Sequence, residues 1–210
     1  MYKSQQGFTL IELAIVLVIV GLLLGGVFKG QELITQAKIR NISNDLTGTT
    51  AAFHSYQDRY RALPGDDASA ASRWTNPTTV SGNGNGQITG NYNDTTGVES
   101  GYFWQHLRLS GLVTGAATDA TPPQNAVSGM MGIQSAGALG LTGLLLCSSN
   151  LPAKIAQAID SQLDDGNAMT GQLRGELNTG TSPAPTIGAT APTTNYVDNG
   201  SNVYVVCKPI

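Results

Sequence analysis

From Phe8 to Phe28 the chain runs almost unbroken through apolar residues, and the one ionisable side chain in that stretch is Glu12. A helix rises about 1.5 Å per residue, so this run covers roughly 30 Å, about one hydrocarbon core. Such a helix, apolar all round, belongs in lipid or among others of its kind. One carboxylate near its start costs about 3 kcal/mol or more in lipid, depending on depth. Glu12 therefore needs either a partner or a route to the interface. A plain signal anchor would let it reach back to the headgroups. A staggered bundle would pair it with a cation and use the pair to set register.

The residues around Glu12 favour the second arrangement. A short polar leader ends in Gly7, and Phe8-Thr-Leu-Ile-Glu12 follows directly. This order resembles the processing and methylation site of type IV pilins and type II secretion pseudopilins. The resemblance is strong over residues 1 to 63 and loose beyond. It implies that a prepilin peptidase cuts after Gly7 on the cytoplasmic side and methylates the new amine of Phe8. It also implies that Glu12 pairs with the N-terminal amine of a neighbouring subunit during assembly. Phe8 and Glu12 are four apart, so pairing within one helix is the competing geometry. The implied partners are other pilin-like subunits, the peptidase and an inner-membrane assembly platform. The implied location is the bacterial inner membrane, as a single-pass protein with its head in the periplasm, and then a pilus or pseudopilus. Charge does not decide orientation: Lys3 lies on one side of the run and Lys29, Lys38 and Arg40 on the other. The run is too long for an ordinary secretory signal, and no small-residue cleavage site follows it.

The helix is expected to continue past Phe28. No proline occurs between Met1 and Leu63, and Ile39, Ile42, Leu46, Thr49, Phe53, Tyr56 and Tyr60 recur at spacings of three and four. That is one stripe on an amphipathic helix. Many type IV pilins carry a kinking proline where Lys29 stands here, which favours a straighter shaft. Gly21, Gly25 and Gly26 either let shafts pack closely or permit local melting. Leu63-Pro64-Gly65-Asp66 ends the helix. The expected organisation is a leader at 1–7, a transmembrane and assembly helix at 8–28, its amphipathic half at 29–62 and a loop-rich head at 63–210. The expected fold class is α+β and pilin-like, with the long N-terminal helix packed on an antiparallel sheet.

Within the head, Glu99 to Gly115 carries a short helix, with Trp104 and His106 read as a packed aromatic and a satisfied histidine. Gly143–Cys147 and Asn202–Cys207 read as strands. Leu151–Leu163 reads as an amphipathic helix introduced by Asn150-Leu-Pro152. Strand order and the middle strands are not readable. Cys147 and Cys207 make an even count, which in an exported chain suggests one disulfide; two buried free thiols are the alternative.

The densest turn, Ser81-Gly-Asn83-Gly-Asn85-Gly-Gln87-Ile88, resembles the middle of a calcium loop. Ser81 and Tyr92 stand where a complete loop needs Asp and Glu, so an EF-hand is excluded. A site assembled from Asp66, Asp67, Asn83, Asn85, Gln87, Asp94 and Glu99 remains as a candidate for calcium. A plain Asn-Gly turn that needs no metal is the alternative. Asp164-Asp165-Gly166-Asn167 is a weaker candidate of the same kind.

No nucleophile motif, phosphate-binding loop or catalytic metal cluster is visible, so an enzyme is not expected. The formal net charge of −3, without a basic stripe, gives no argument for nucleic acid. Two readings are left. One is a pilus or pseudopilus subunit, of minor pilin or pseudopilin type. The other is a membrane-anchored periplasmic module that binds calcium or a ligand and never polymerises.

Overall fold

The computed structural model describes residues 9–75, 79–95, 97–178 and 187–210. Helix α1 spans Leu10–Tyr60, followed by α2 (Ala70–Arg73), α3 (Glu99–Leu109), β1 (Met131–Gln134), β2 (Leu145–Pro152), α4 (Ala153–Leu163), β3 (Arg174–Leu177) and β4 (Val203–Pro209). The fold is α+β, a long N-terminal helix and a four-stranded sheet. The strand order is β1-β2-β4-β3, and every pair is antiparallel.

The chain divides into two compact units at Ala37/Lys38. In the first, the α1 residues from Leu10 to Ile34 expose nearly every large apolar side chain. This stretch is apolar and long enough to cross a membrane, with a mean hydropathy of 2.8 in its best window. Without a proline or a β-strand pattern to stop it, the helix simply propagates.

The second unit, residues 38–210, has a continuous core. Ile39, Ile42, Leu46, Thr49, Ala52, Phe53 and Tyr56 of α1 are buried, as the three-and-four spacing requires. They meet Phe103, Trp104 and Leu107 of α3, Ile155, Ala156 and Ile159 of α4, and Leu146, Leu151, Tyr204 and Val206 of the sheet. Alternate residues of β4, Val205 and Cys207, turn to the opposite face with Leu145, Tyr92 and Leu139. Each fully buried side chain of this size contributes about 1.5–3 kcal/mol relative to exposure.

Several boundaries differ from the sequence reading: β2 starts at Leu145 and not Gly143, α4 at Ala153 and not Leu151, and β4 runs Val203–Pro209 and not Asn202–Cys207. Strand β2 does not end at Cys147 but runs to Pro152, through a register shift between Ser148 and Leu151, and Asn150 there has φ 59°. Asparagine tolerates that left-handed backbone, and the irregularity lets the strand lead directly into α4. Helix α3 stops at Leu109, closed by a turn in which Gly111 has φ 73° and Leu112 and Val113 both donate to the Leu107 carbonyl.

Candidate functional site

Thr9 and Glu12 form the start of α1. The Thr9 N–H donates to Glu12 Oε2 at 2.8 Å, its hydroxyl donates to the same oxygen at 2.7 Å, and the Glu12 N–H donates back to Thr9 Oγ1 at 3.3 Å. This is a reciprocal capping box, which satisfies amides that a helix start leaves without partners. Both of these donors meet Oε2, and among the described residues Glu12 Oε1 accepts no hydrogen bond. The Thr9-x-x-Glu12 spacing carried this signal in the sequence and went unused. Gly7 and Phe8, the expected processing residues, lie outside the described residues.

The candidate calcium residues are drawn close to one turn, but their oxygens face N–H groups. Asp66 accepts from the amides of Gly84 at 2.6 Å and Asn85 at 3.1 Å through Oδ1, and from Gly86 at 2.7 Å through Oδ2. Glu99 accepts from Asn83 N–H at 3.0 Å and from both Thr89 N–H and hydroxyl at 2.9 Å. Asn83 and Asn85 turn their carbonyls onto the amides two residues on, those of Asn85 and Gln87. Asp94 accepts from Asn91 N–H. Asp66 and Glu99 are thus the acceptors on which the glycine-rich loop is wrapped. Gly84 and Gly86, at φ 74° and 82°, supply the left-handed backbone the wrap requires.

Asp67 points elsewhere. It accepts from the Tyr56 hydroxyl at 2.7 Å, from Ser69 N–H at 2.9 Å and from the Arg73 guanidinium. Burial alone would push its carboxyl up; these donors outweigh that and hold it below the usual range. Arg73 lies over the rings of Tyr60 and Trp74, 4.7 and 5.3 Å from their centroids. Fully buried His106 accepts from Gly65 N–H through Nδ1 at 2.9 Å and donates from Nε2 to the Val80 carbonyl at 2.8 Å. Those partners fix the neutral tautomer, and burial lowers the imidazole below its ordinary value. The arrangement ties the end of α1 to the loops that follow it.

Among the described residues, three carboxylates come within 4.8 Å of one another only at Asp160, Asp164 and Asp165. Each is engaged: Asp160 by the Tyr196 hydroxyl and Gly166 N–H, Asp164 by the amides of Gln172 and Leu173, and Asp165 by Thr170 and Asn167. Cys147 and Cys207 face each other across β2 and β4 and are disulfide-bonded, both fully buried.

Residues 2–28 match the prokaryotic N-terminal methylation motif. The N-terminus of the chain therefore carries an N-terminal methylation motif. That motif leads into the long helix α1, and the chain also holds a four-stranded antiparallel sheet. No curated protein matches it. Among solved structures it is similar to the major type IV pilin PilA1 from Clostridium difficile. That likeness has a TM-score of 0.39 and 14% identity, and covers 82% of this chain and 96% of that one.

Proposed function

We propose that the chain is a structural filament subunit, a minor pilin of a type IV pilus or a type II secretion pseudopilin, and not an enzyme. Prepilin peptidase cleaves it after Gly7 and methylates the Phe8 amine. It resides in the inner membrane with residues 38–210 in the periplasm, and an assembly platform then polymerises it through its N-terminal helix with pilin-like subunits. The observation that carries this reading is Glu12: one carboxylate in an exposed apolar helix, within the methylation motif, with no hydrogen bond to Oε1 among the described residues. A cation presented by the methylated terminus of a neighbour fits that oxygen. The gain is large because lipid or a packed bundle screens the pair poorly. The long irregular loops of residues 38–210 support the minor pilin or pseudopilin assignment.

Glu12→Ala tests the pairing. The variant inserts and is processed, but its filament yield falls to background in sheared surface fractions. Normal filaments from Glu12→Ala would defeat the mechanism and favour an anchored module that does not polymerise.

A further inference from the structure

Among the described residues, Arg61, Ser128, Leu139 and Asn150 hold a left-handed backbone without being glycine, at φ 53°, 61°, 54° and 59°. That conformation is costly for a residue with a Cβ, and least so for asparagine. Leu139 is wholly buried in the core, where packing holds it. The Asn150 side chain donates to the Val127 carbonyl at 2.9 Å, and the Ser128 N–H closes a turn on the Asn125 carbonyl at 3.0 Å. Arg61 has no such reason. It is exposed, and among the described residues its guanidinium has no hydrogen bond, ion pair or ring contact.

The backbone alone favours another residue there. Arg61 directly follows Tyr60, the last residue of α1, and its N–H donates to the Gln57 carbonyl at 2.8 Å. Glycine is the usual residue at such a left-handed helix end, because it carries no Cβ. An exposed arginine that strains the backbone and touches nothing in its own chain has its use outside that chain.

The surroundings narrow that use. Arg61 lines a cleft of about 370 Å³ at the end of α1, together with Tyr60, Leu63, Ser69 and Arg73. Asp66 and Asp67 share the lining, but both are taken: Asp66 by the amides of Gly84, Asn85 and Gly86, and Asp67 by Tyr56, Ser69 and Arg73. Arg73 is held in turn by Asp67 and by the faces of Tyr60 and Trp74. Arg61 is left as the uncommitted charge of the cleft. Its planar fork fits a carboxylate through two parallel N–H bonds. From Lys38 to Tyr60 the helix rises about 33 Å, so Arg61 stands at least that far along α1 from its apolar half, and a lipid headgroup is not the source of the anion. The helix that Arg61 ends is the one through which the chain polymerises, and the anions that neighbours in a filament bring to it are Asp and Glu side chains.

We propose that this cleft receives an Asp or Glu side chain of a different pilin-like subunit, with Arg61 as its partner. The inference rests on the polymerisation reading above and specifies one contact within it.

The test uses the full chain in its native host, with the native copy removed. Arg61→Gly removes the strain and the fork together. The thermal midpoint of the detergent-solubilised chain rises by about 2 °C, while its share in sheared filaments, relative to the membrane pool, falls about tenfold. Arg61→Lys keeps the charge without the fork and retains part of that share. In filaments carrying Arg61→Lys, a water-soluble carbodiimide couples the new amine to a carboxylate, and mass spectrometry finds position 61 joined to an Asp or Glu of another chain. Detergent-dissociated subunits give no such link. A midpoint that stays level or falls in Arg61→Gly would overturn the proposal, as would an unchanged filament share or filaments without a link at position 61. Absence of the wild-type chain from filaments would overturn the polymerisation reading and this contact with it.

Discussion

Replacing Asp66 by alanine removes the anion around which residues 83–87 are wrapped. Three backbone amides, those of Gly84, Asn85 and Gly86, lose a carboxylate acceptor at once, though Gly84 N–H keeps the Asp66 main-chain carbonyl and Asn85 N–H keeps Asn83 Oδ1. Hydrogen bonds to a charged group are worth about 1.5–3 kcal/mol each. Residues 84–86 are exposed, so water can take over the freed amides, and about 1 kcal/mol per bond is the better figure. Because two of the three amides keep a second acceptor, the sum is about 2 kcal/mol. For a folded unit of this size, each kcal/mol moves the thermal midpoint by about 2–4 °C, so the midpoint should fall by roughly 4–8 °C. The assay is near-ultraviolet circular dichroism of the detergent-solubilised chain, because both tryptophans lie in residues 38–210. Adding calcium or a chelator should leave the wild-type midpoint within about 1 °C, since the carboxylate oxygens are already committed to N–H donors. Two results would refute this reasoning. One is an Asp66→Ala midpoint within about 2 °C of wild type. The other is a calcium-dependent rise in the wild type that disappears in the variant, which would mean that the loop closes on a cation.

Acid should loosen the junction at His106. Its folded-state value lies below that of a free imidazole, so the unfolded chain takes up the proton first. The stability it supports is fully present above about pH 6.5 and is lost as pH falls through the lower folded value. Between pH 7 and 5 the midpoint of the wild type should fall more than that of His106→Asn, whose amide oxygen can still accept from Gly65; equal slopes would contradict the assignment. The disulfide closes a loop with a sequence separation of 60. Cys147→Ser with Cys207→Ser should lower stability by about 4 kcal/mol in the chain-entropy treatment, read from denaturant midpoints; a loss below about 1 kcal/mol would show that the bond adds little.

The long helix and its buried stripe were legible because both rest on local period. Ile39, Ile42, Leu46, Phe53 and Tyr56 announce their face without reference to any other element. The outer strands were not. β1 is Met131-Gly-Ile-Gln, four residues buried at every position, and a Cβ on Gly132 would collide with the Tyr92 carbonyl. Its glycine answers a close backbone approach that only tertiary structure reveals. β3, Arg174-Gly-Glu-Leu, likewise has no alternation long enough to read. At the N-terminus the methylation motif drew the reading to Glu12, while the capping partner three residues earlier was passed over. In the glycine-rich turn, the oxygen-bearing residues were recognised as clustered. What could not be read was the direction of their donors: Asp66 and Glu99 meet amides from 10 to 20 residues away.

The central claim is that this chain is a processed subunit that polymerises through its N-terminal helix. Mass spectrometry of sheared surface filaments and of the membrane fraction from the native host tests it most directly. The account predicts chain beginning at N-methylated Phe8 in both fractions, mostly in the membrane with a small share in filaments. Chain still beginning at Met1 in both fractions would contradict it.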